Sequence, residues 1–268
     1  MYRLPIAVVT IVSTFAISQL AFGADLPLKA PAEVAAPAHN WTGFYIGANA
    51  GYSWGTTSGD YSESAAGLFG YGSLACRFGC SLPFSMSRGG GLGGLQLGFN
   101  YQTGVWVWGV EADYAWRNAD ATLNSILDTD FQDTLTITDK QAGIGTVRGR
   151  IGIAPAGASN WLFYFTGGLA YGKVEHSVTQ FCNIFCDETL TFSDSRTKTG
   201  WTVGGGLEVA LNPNWSIGAE YLYRDLGTDT LTSAGNGDAI PATSVTFHDR
   251  SNIARIKLNY QFGLSPGL

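Results

Sequence analysis

Charge placement restricts the folds open to this 268-residue chain more than any other feature. Nine charged residues inside strand-like segments fall on one side of a two-residue alternation, and aromatics and aliphatics fall on the other. Between residues 105 and 116, Trp106, Trp108, Val110, Ala112, Tyr114 and Trp116 alternate with Gly109, Glu111, Asp113 and Ala115. Residues 145–154 set Val147, Ile151 and Ile153 against Thr146, Arg148 and Arg150. Residues 215–224 set Trp215, Ile217, Ala219, Tyr221 and Tyr223 against Ser216, Gly218, Glu220 and Arg224. Only strand-end charges such as Asp225 and Arg250 depart from the pattern. A soluble sheet buries its apolar face against a second layer, but no helical period separates these segments, so no such layer exists. The remaining solution is inside out, with apolar residues toward lipid and charges toward a barrel interior.

The first residues indicate export. Arg3, the apolar stretch 4–20 and Ala21-Phe22-Gly23 read as the three parts of a signal peptide covering residues 1–23, with Ala24 as the mature N-terminus. A spanning helix is the competing reading, but the stretch is short and contains Pro5, Thr10, Ser13 and Thr14. No later apolar run approaches the roughly 20 residues such a helix needs. Removing Arg3 with the signal leaves 14 bases of the original 15 against 21 acids, an acidic product that does not seek nucleic acid by net charge. Residues 24–40, spaced by Pro27, Pro31 and Pro37, form an extended periplasmic tail that cannot pair in a ladder.

From Trp41 to Phe262 the chain reads as eight strands, at residues 41–54, 91–101, 105–116, 141–154, 161–172, 197–210, 215–226 and 250–262. Each has at least the roughly 9 to 11 residues of a tilted spanning strand. Connections alternate between short turns (102–104, 155–160, 211–214) and long loops (55–90, 117–140, 173–196, 227–249). Short turns belong on the periplasmic side and long loops outside. The fold class is therefore all-β, an eight-stranded antiparallel up-and-down transmembrane β-barrel, with residues 263–268 as a short C-terminal extension.

All eight tryptophans, Trp41, Trp54, Trp106, Trp108, Trp116, Trp161, Trp201 and Trp215, lie at or near strand ends and are assigned to aromatic girdles at the membrane interfaces. The inward charges are Glu111, Asp113, Glu208 and Glu220 opposite Arg148, Arg150, Arg224, Arg255 and Lys257. An eight-stranded barrel is just wide enough for side chains to fill, and Gly47, Gly51, Gly98, Gly109, Gly204, Gly206 and Gly218 leave room for long arms. A packed salt-bridge plug is the expected arrangement, and a narrow charged pore for small solutes is the alternative.

Chemistry-bearing motifs are sparse. Cys76, Cys80, Cys182 and Cys186 suggest two disulfides in an oxidising compartment, with three pairings open and a local bridge within each loop preferred over a thiolate zinc site. His176 beside Ser177 and His248 beside Asp249 are the candidate general bases near the outer rim, but adjacent strand residues face opposite ways, so neither pair forms a dyad. Asp128, Asp130 and Asp133 lack the glycine and closing glutamate of a calcium loop. The expectation is no catalytic residue, no metal and no cofactor.

Several motifs occur in one order: Ala24-Asp25-Leu26-Pro27, Asn40-Trp41-Thr42-Gly43-Phe44-Tyr45-Ile46-Gly47, Gly145-Thr146-Val147-Arg148-Gly149-Arg150-Ile151-Gly152, Thr166-Gly167-Gly168-Leu169-Ala170-Tyr171-Gly172 and Gly200-Trp201-Thr202-Val203-Gly204-Gly205-Gly206. In this the chain resembles the alphaproteobacterial outer-membrane immunogenic surface-antigen family of small porin-like, OmpA-like barrels, over essentially all of the mature sequence. The resemblance implies an abundant surface-exposed barrel of the Gram-negative cell envelope and supplies no enzymatic residues. The expected partners are outer-membrane lipids and lipopolysaccharide, periplasmic chaperones and the barrel assembly machinery. Many such barrels close on a terminal aromatic, whereas residues 263–268 follow the last strand here. Tyr260 and Phe262 are assigned as the assembly signal.

Overall fold

The computed structural model describes residues 39–63, 80–128, 133–182, 188–234 and 242–263. The expected signal peptide (1–23), most of the tail (24–40) and most of the extension (263–268) lie outside those residues. So do Cys76, Cys186 and Asp130, and only the backbone is described at Cys80, Cys182, Asp128 and Asp133.

Eight antiparallel strands form a closed barrel: β1 (Gly43–Glu63), β2 (Cys80–Thr103), β3 (Trp106–Asp128), β4 (Asp133–Ile153), β5 (Trp161–Cys182), β6 (Glu188–Ala210), β7 (Trp215–Ser233) and β8 (Thr243–Gly263). Each strand pairs with its sequence neighbours, and β1 pairs with β8 from Gly43↔Gly263 to Glu63↔Thr243, which leaves no open edge. Closure satisfies the backbone without water, the condition for crossing lipid with strands.

The strands are 19 to 24 residues long, well beyond the expected spans. The four connections read as long loops are in large part continuations of the hairpins. The reason is that the alternation persists there with its chemistry exchanged between the faces. On β4, Leu135 and Ile137 point inward between Thr134, Thr136 and Thr138. On β8, Val245 and Phe247 are fully buried between half-buried Ser244, Thr246 and His248.

Lower down the outer face is apolar, with Phe165 77% and Leu169 68% exposed around the outside. Trp106, Trp108, Trp161 and Trp215 girdle the short-turn end, and Trp54, Trp116 and Trp201 the opposite side of this band. From Trp106 to Trp116 is ten residues of strand, which at about 3.4 Å each and a tilt of about 40° rises about 25 Å, the height of an outer-membrane apolar band. Above that level the barrel continues as a projecting extension.

Trp41 corrects the girdle assignment. It continues the inward parity of Tyr45 and Asn49, is 1% exposed, and packs inside the base with Val107, Ala154, Leu162 and Tyr164. Its indole donates to the Ser159 carbonyl at 2.9 Å and its amide donates to Gln102 Oε1 at 2.8 Å.

Candidate functional site

The interior is stacked in layers because every strand contributes an inward residue at each level. Above the apolar base lies a first charge network. A layer of Leu92, Ala115, Ile144, Leu222 and Ile253 follows, then a second polar level, and finally an apolar layer of residues such as Tyr61, Met86, Ile137, Val178 and Phe247.

In the first network four carboxylates meet four cations. Arg148 reaches Glu111 at 2.5 Å, Asp113 at 2.8 Å and Glu220 at 3.1 Å. Arg255 engages Glu220 at 2.6 Å and Asp113 at 3.0 Å. Lys257 sits 2.6 Å from Glu111 and 3.5 Å from Glu220, and Arg150 binds Glu208 at 2.9 Å. These eight residues are each at most 5% exposed and draw on β3, β4, β6, β7 and β8. Two tyrosines that the sequence reading did not include complete the set. Tyr45 donates to Glu111 at 2.7 Å, Tyr164 donates to Glu220 at 2.9 Å, and the Arg150 guanidinium lies 4.0 Å over the Tyr164 ring. Small residues make the space for those rings: a Cβ at Gly98 would stand 2.4 Å from Tyr45, and one at Gly206 would stand 2.7 Å from the Tyr164 hydroxyl.

Arg224, the ninth residue of the expected set, is buried in the second polar level and joins a different group. There Arg88 binds Asp139 at 2.5 Å and Asp249 at 2.9 Å, Lys198 binds Asp249 at 2.9 Å, and Thr57 Oγ1 lies 2.8 and 2.7 Å from the two carboxylates. Burial by itself would raise the Asp249 carboxyl, but Arg88, Lys198 and the Thr57 hydroxyl bring it down to about 2. Arg117, Gln141 and Ser251 complete the level. Most of these residues lie in segments read as loops. The signal that could have found them is the inverted alternation around Ile137, Asp139 and Gln141.

The histidines separate. His176 corrects its reading as a residue of the polar rim. It is 1% exposed, stacked on Phe247 at 4.0 Å and 3.6 Å from Asp139, and burial outweighs the nearby carboxylates to keep its ring below the usual histidine range. His248 faces outward, 3.2 Å from Asp225. Among the described residues no group of three or more His, Cys, Asp or Glu is arranged to hold a metal. Tyr260 and Phe262 form an aromatic pair on the outside of β8, 5.2 Å apart, with Tyr260 also 5.2 Å from Trp215.

The model of the outer membrane protein beta-barrel domain matches residues 12–262. The 31 kDa outer-membrane immunogenic protein of Brucella melitensis is 35% identical over 267 residues, covering 94% of this chain and 97% of that protein. The 22 kDa outer membrane protein of Rhizobium leguminosarum bv. viciae is 29% identical over 189 residues, covering 70% and 66%. With its closed ladder, apolar outer band and charged interior, the chain belongs to the outer-membrane β-barrel family of these alphaproteobacterial antigens and resides in the outer membrane.

Proposed function

We propose that the protein is a closed, non-catalytic barrel that braces the outer membrane and presents its projecting strands and loops at the cell surface, as the immunogenic name of its Brucella relative suggests. The observation that carries this reading is the balanced first network, in which Arg148 alone ties β4 to carboxylates on β3 and β7. Fully paired buried charges resist rearrangement, since breaking one pair strands its partner in a poorly solvated space. Apolar layers above and below add dry constrictions to the same axis. Lipopolysaccharide and lipid contact the outer face, and Tyr260 and Phe262 serve as the aromatic signal read by chaperones and the assembly machinery.

Single-channel recording in planar bilayers tests closure. The wild type should be nearly silent and Glu220→Ala leakier, with the folded fraction of each checked by the heat-dependent shift in gel mobility. Appreciable wild-type current whose ion selectivity shifts in Glu220→Ala, with stability unchanged, would instead establish a narrow charged pore.

A further inference from the structure

The second polar level carries more positive charge than its acids can meet. Arg88, Arg117, Lys198 and Arg224 are buried there with Asp139 and Asp249. Arg88, Lys198 and Thr57 already engage both carboxylates. The neighbouring group of Arg196 with Asp194 and Asp229, one cation with two carboxylates, lies nearer the surface.

Arg117 and Arg224 are in a different position, because neither reaches a carboxylate within ion-pair distance among the described residues. Each donates to the same neutral atom, Gln141 Oε1, at 2.7 and 2.8 Å, and Arg224 Nε adds Ser251 at 3.0 Å. Two guanidiniums held against one amide oxygen in a poorly solvated interior repel, which is costly unless an anion offsets them. Four of their N–H-bearing atoms remain without a hydrogen-bond partner among the described residues: Arg117 Nε and Nη2, Arg224 Nη1 and Gln141 Nε2. The three residues are only 5%, 1% and 1% exposed.

Gly172 on β5 supplies an independent observation. It faces the same group, and a Cβ built on it would lie 2.9 Å from the Gly143 carbonyl oxygen, 3.3 Å from Gln141 Nε2 and 3.7 Å from Arg224 Nη1. Two of the unmatched donors therefore lie beside Gly172, where even a methyl group would press on the Gly143 carbonyl.

We propose that Arg117, Arg224 and Gln141 bind a small inorganic oxyanion of the phosphate or sulfate class. Planar guanidinium forks suit the several acceptor oxygens of such an ion, and the ion's charge offsets the surplus of the level. Because the apolar layer of Ile137, Val178 and Phe247 closes the space above, the ion is captured as the barrel forms and exchanges slowly afterwards.

The test refolds the protein in detergent with radiolabelled inorganic phosphate, with sulfate, or with sodium chloride at matched ionic strength, followed by gel filtration and thermal melting. Wild type should retain oxyanion in stoichiometric amount and melt at a temperature that rises with phosphate but not with chloride. Arg117→Gln and Arg224→Gln should each weaken retention by about 10- to 100-fold, the loss expected for hydrogen bonds to a charged group. In phosphate-free buffer Arg117→Gln should melt no lower than wild type, since it removes one of two repelling charges, and the order should reverse in phosphate. If Arg224→Gln does not fold, Arg117→Gln decides. No retention by wild type, equal stabilisation by chloride, or retention unchanged in Arg117→Gln would overturn the proposal and leave these donors bound to water alone.

Discussion

The membrane-level half of the barrel and its projecting half are built on the same ladders but obey opposite rules. At membrane level the outer face is aliphatic and aromatic, and the interior holds carboxylates and cations in equal number. In the extension the outer face is mostly Ser and Thr, and the interior is topped by Tyr61, Met86, Leu135, Val245 and Phe247 around a polar level with surplus cations. One strand thus changes from a membrane pattern to a soluble pattern near Trp54, Trp116 and Trp201. The solvent on the outside thus determines which chemistry the inside must carry, whereas the backbone ladder is indifferent.

The largest loss of stability is expected at the balanced network. Glu220→Ala leaves Arg148, Arg255 and Lys257 short of a carboxylate, and should lower unfolding free energy by about 3 to 5 kcal/mol in a denaturant titration, less where water enters. A loss below about 1 kcal/mol, the usual range of exposed pairs, would mean that the lower interior is hydrated. Next in size is the outer face. Ala219→Arg at mid-band should cost about 2 to 4 kcal/mol in lipid, and Thr230→Arg on the outside of the extension about zero. Equal costs at the two positions would remove the boundary between the halves.

The third effect belongs to the extension and is read by pH. The Asp249 carboxyl stands at about 2 against an ordinary 3.8, so its contribution is present above about pH 4 and lost as pH falls toward 2. The difference corresponds to about 2 kcal/mol, and Asp249→Asn should flatten the acid limb of the stability curve by that amount. His176 acts in the same direction at higher pH. Its lowered value means that the unfolded chain takes up a proton first, so stability declines as pH falls below about 6.5. The smallest effect is expected at the exposed Lys173–Glu175 pair, 3.2 Å apart, where Lys173→Ala should change the denaturation midpoint by an amount equivalent to less than about 1 kcal/mol.

The membrane half was legible because its alternation is long and chemically one-sided. Strands through Trp106–Trp116 and Trp215–Arg224 display both faces without interruption, and the residues of the balanced network stand on one parity. The extension was obscured at two points. The pairing of β4 with β5 shifts register between Gln141 and Gly145, and inward positions change there from odd to even numbers. On β7 a shift between Asp225 and Thr228, with Gly227 at φ 71°, changes the inward positions from even to odd before Leu231. A reading that follows one parity loses the strand at each bulge. The exchange of chemistry between the faces then makes the continuation resemble a polar loop. Trp41 was misplaced for a different cause: its position at a strand end is shared with the girdle residues, and only its parity with Tyr45 and Asn49 separates them.

The buried indole at the base gives the molecule a built-in optical probe of its own assembly. Trp54, Trp106, Trp108, Trp116, Trp161, Trp201 and Trp215 lie on the lipid side and are open to collision with brominated acyl chains, whereas Trp41 is shielded by protein on every side. Its shielding requires Gln102 after β2 pairs with β3, Ser159 in the turn between β4 and β5, and the β1–β8 seam that places its strand. Fluorescence that lipid quenchers cannot reach therefore emerges only when chain segments more than a hundred residues apart have met, and its rise reports that meeting separately from insertion.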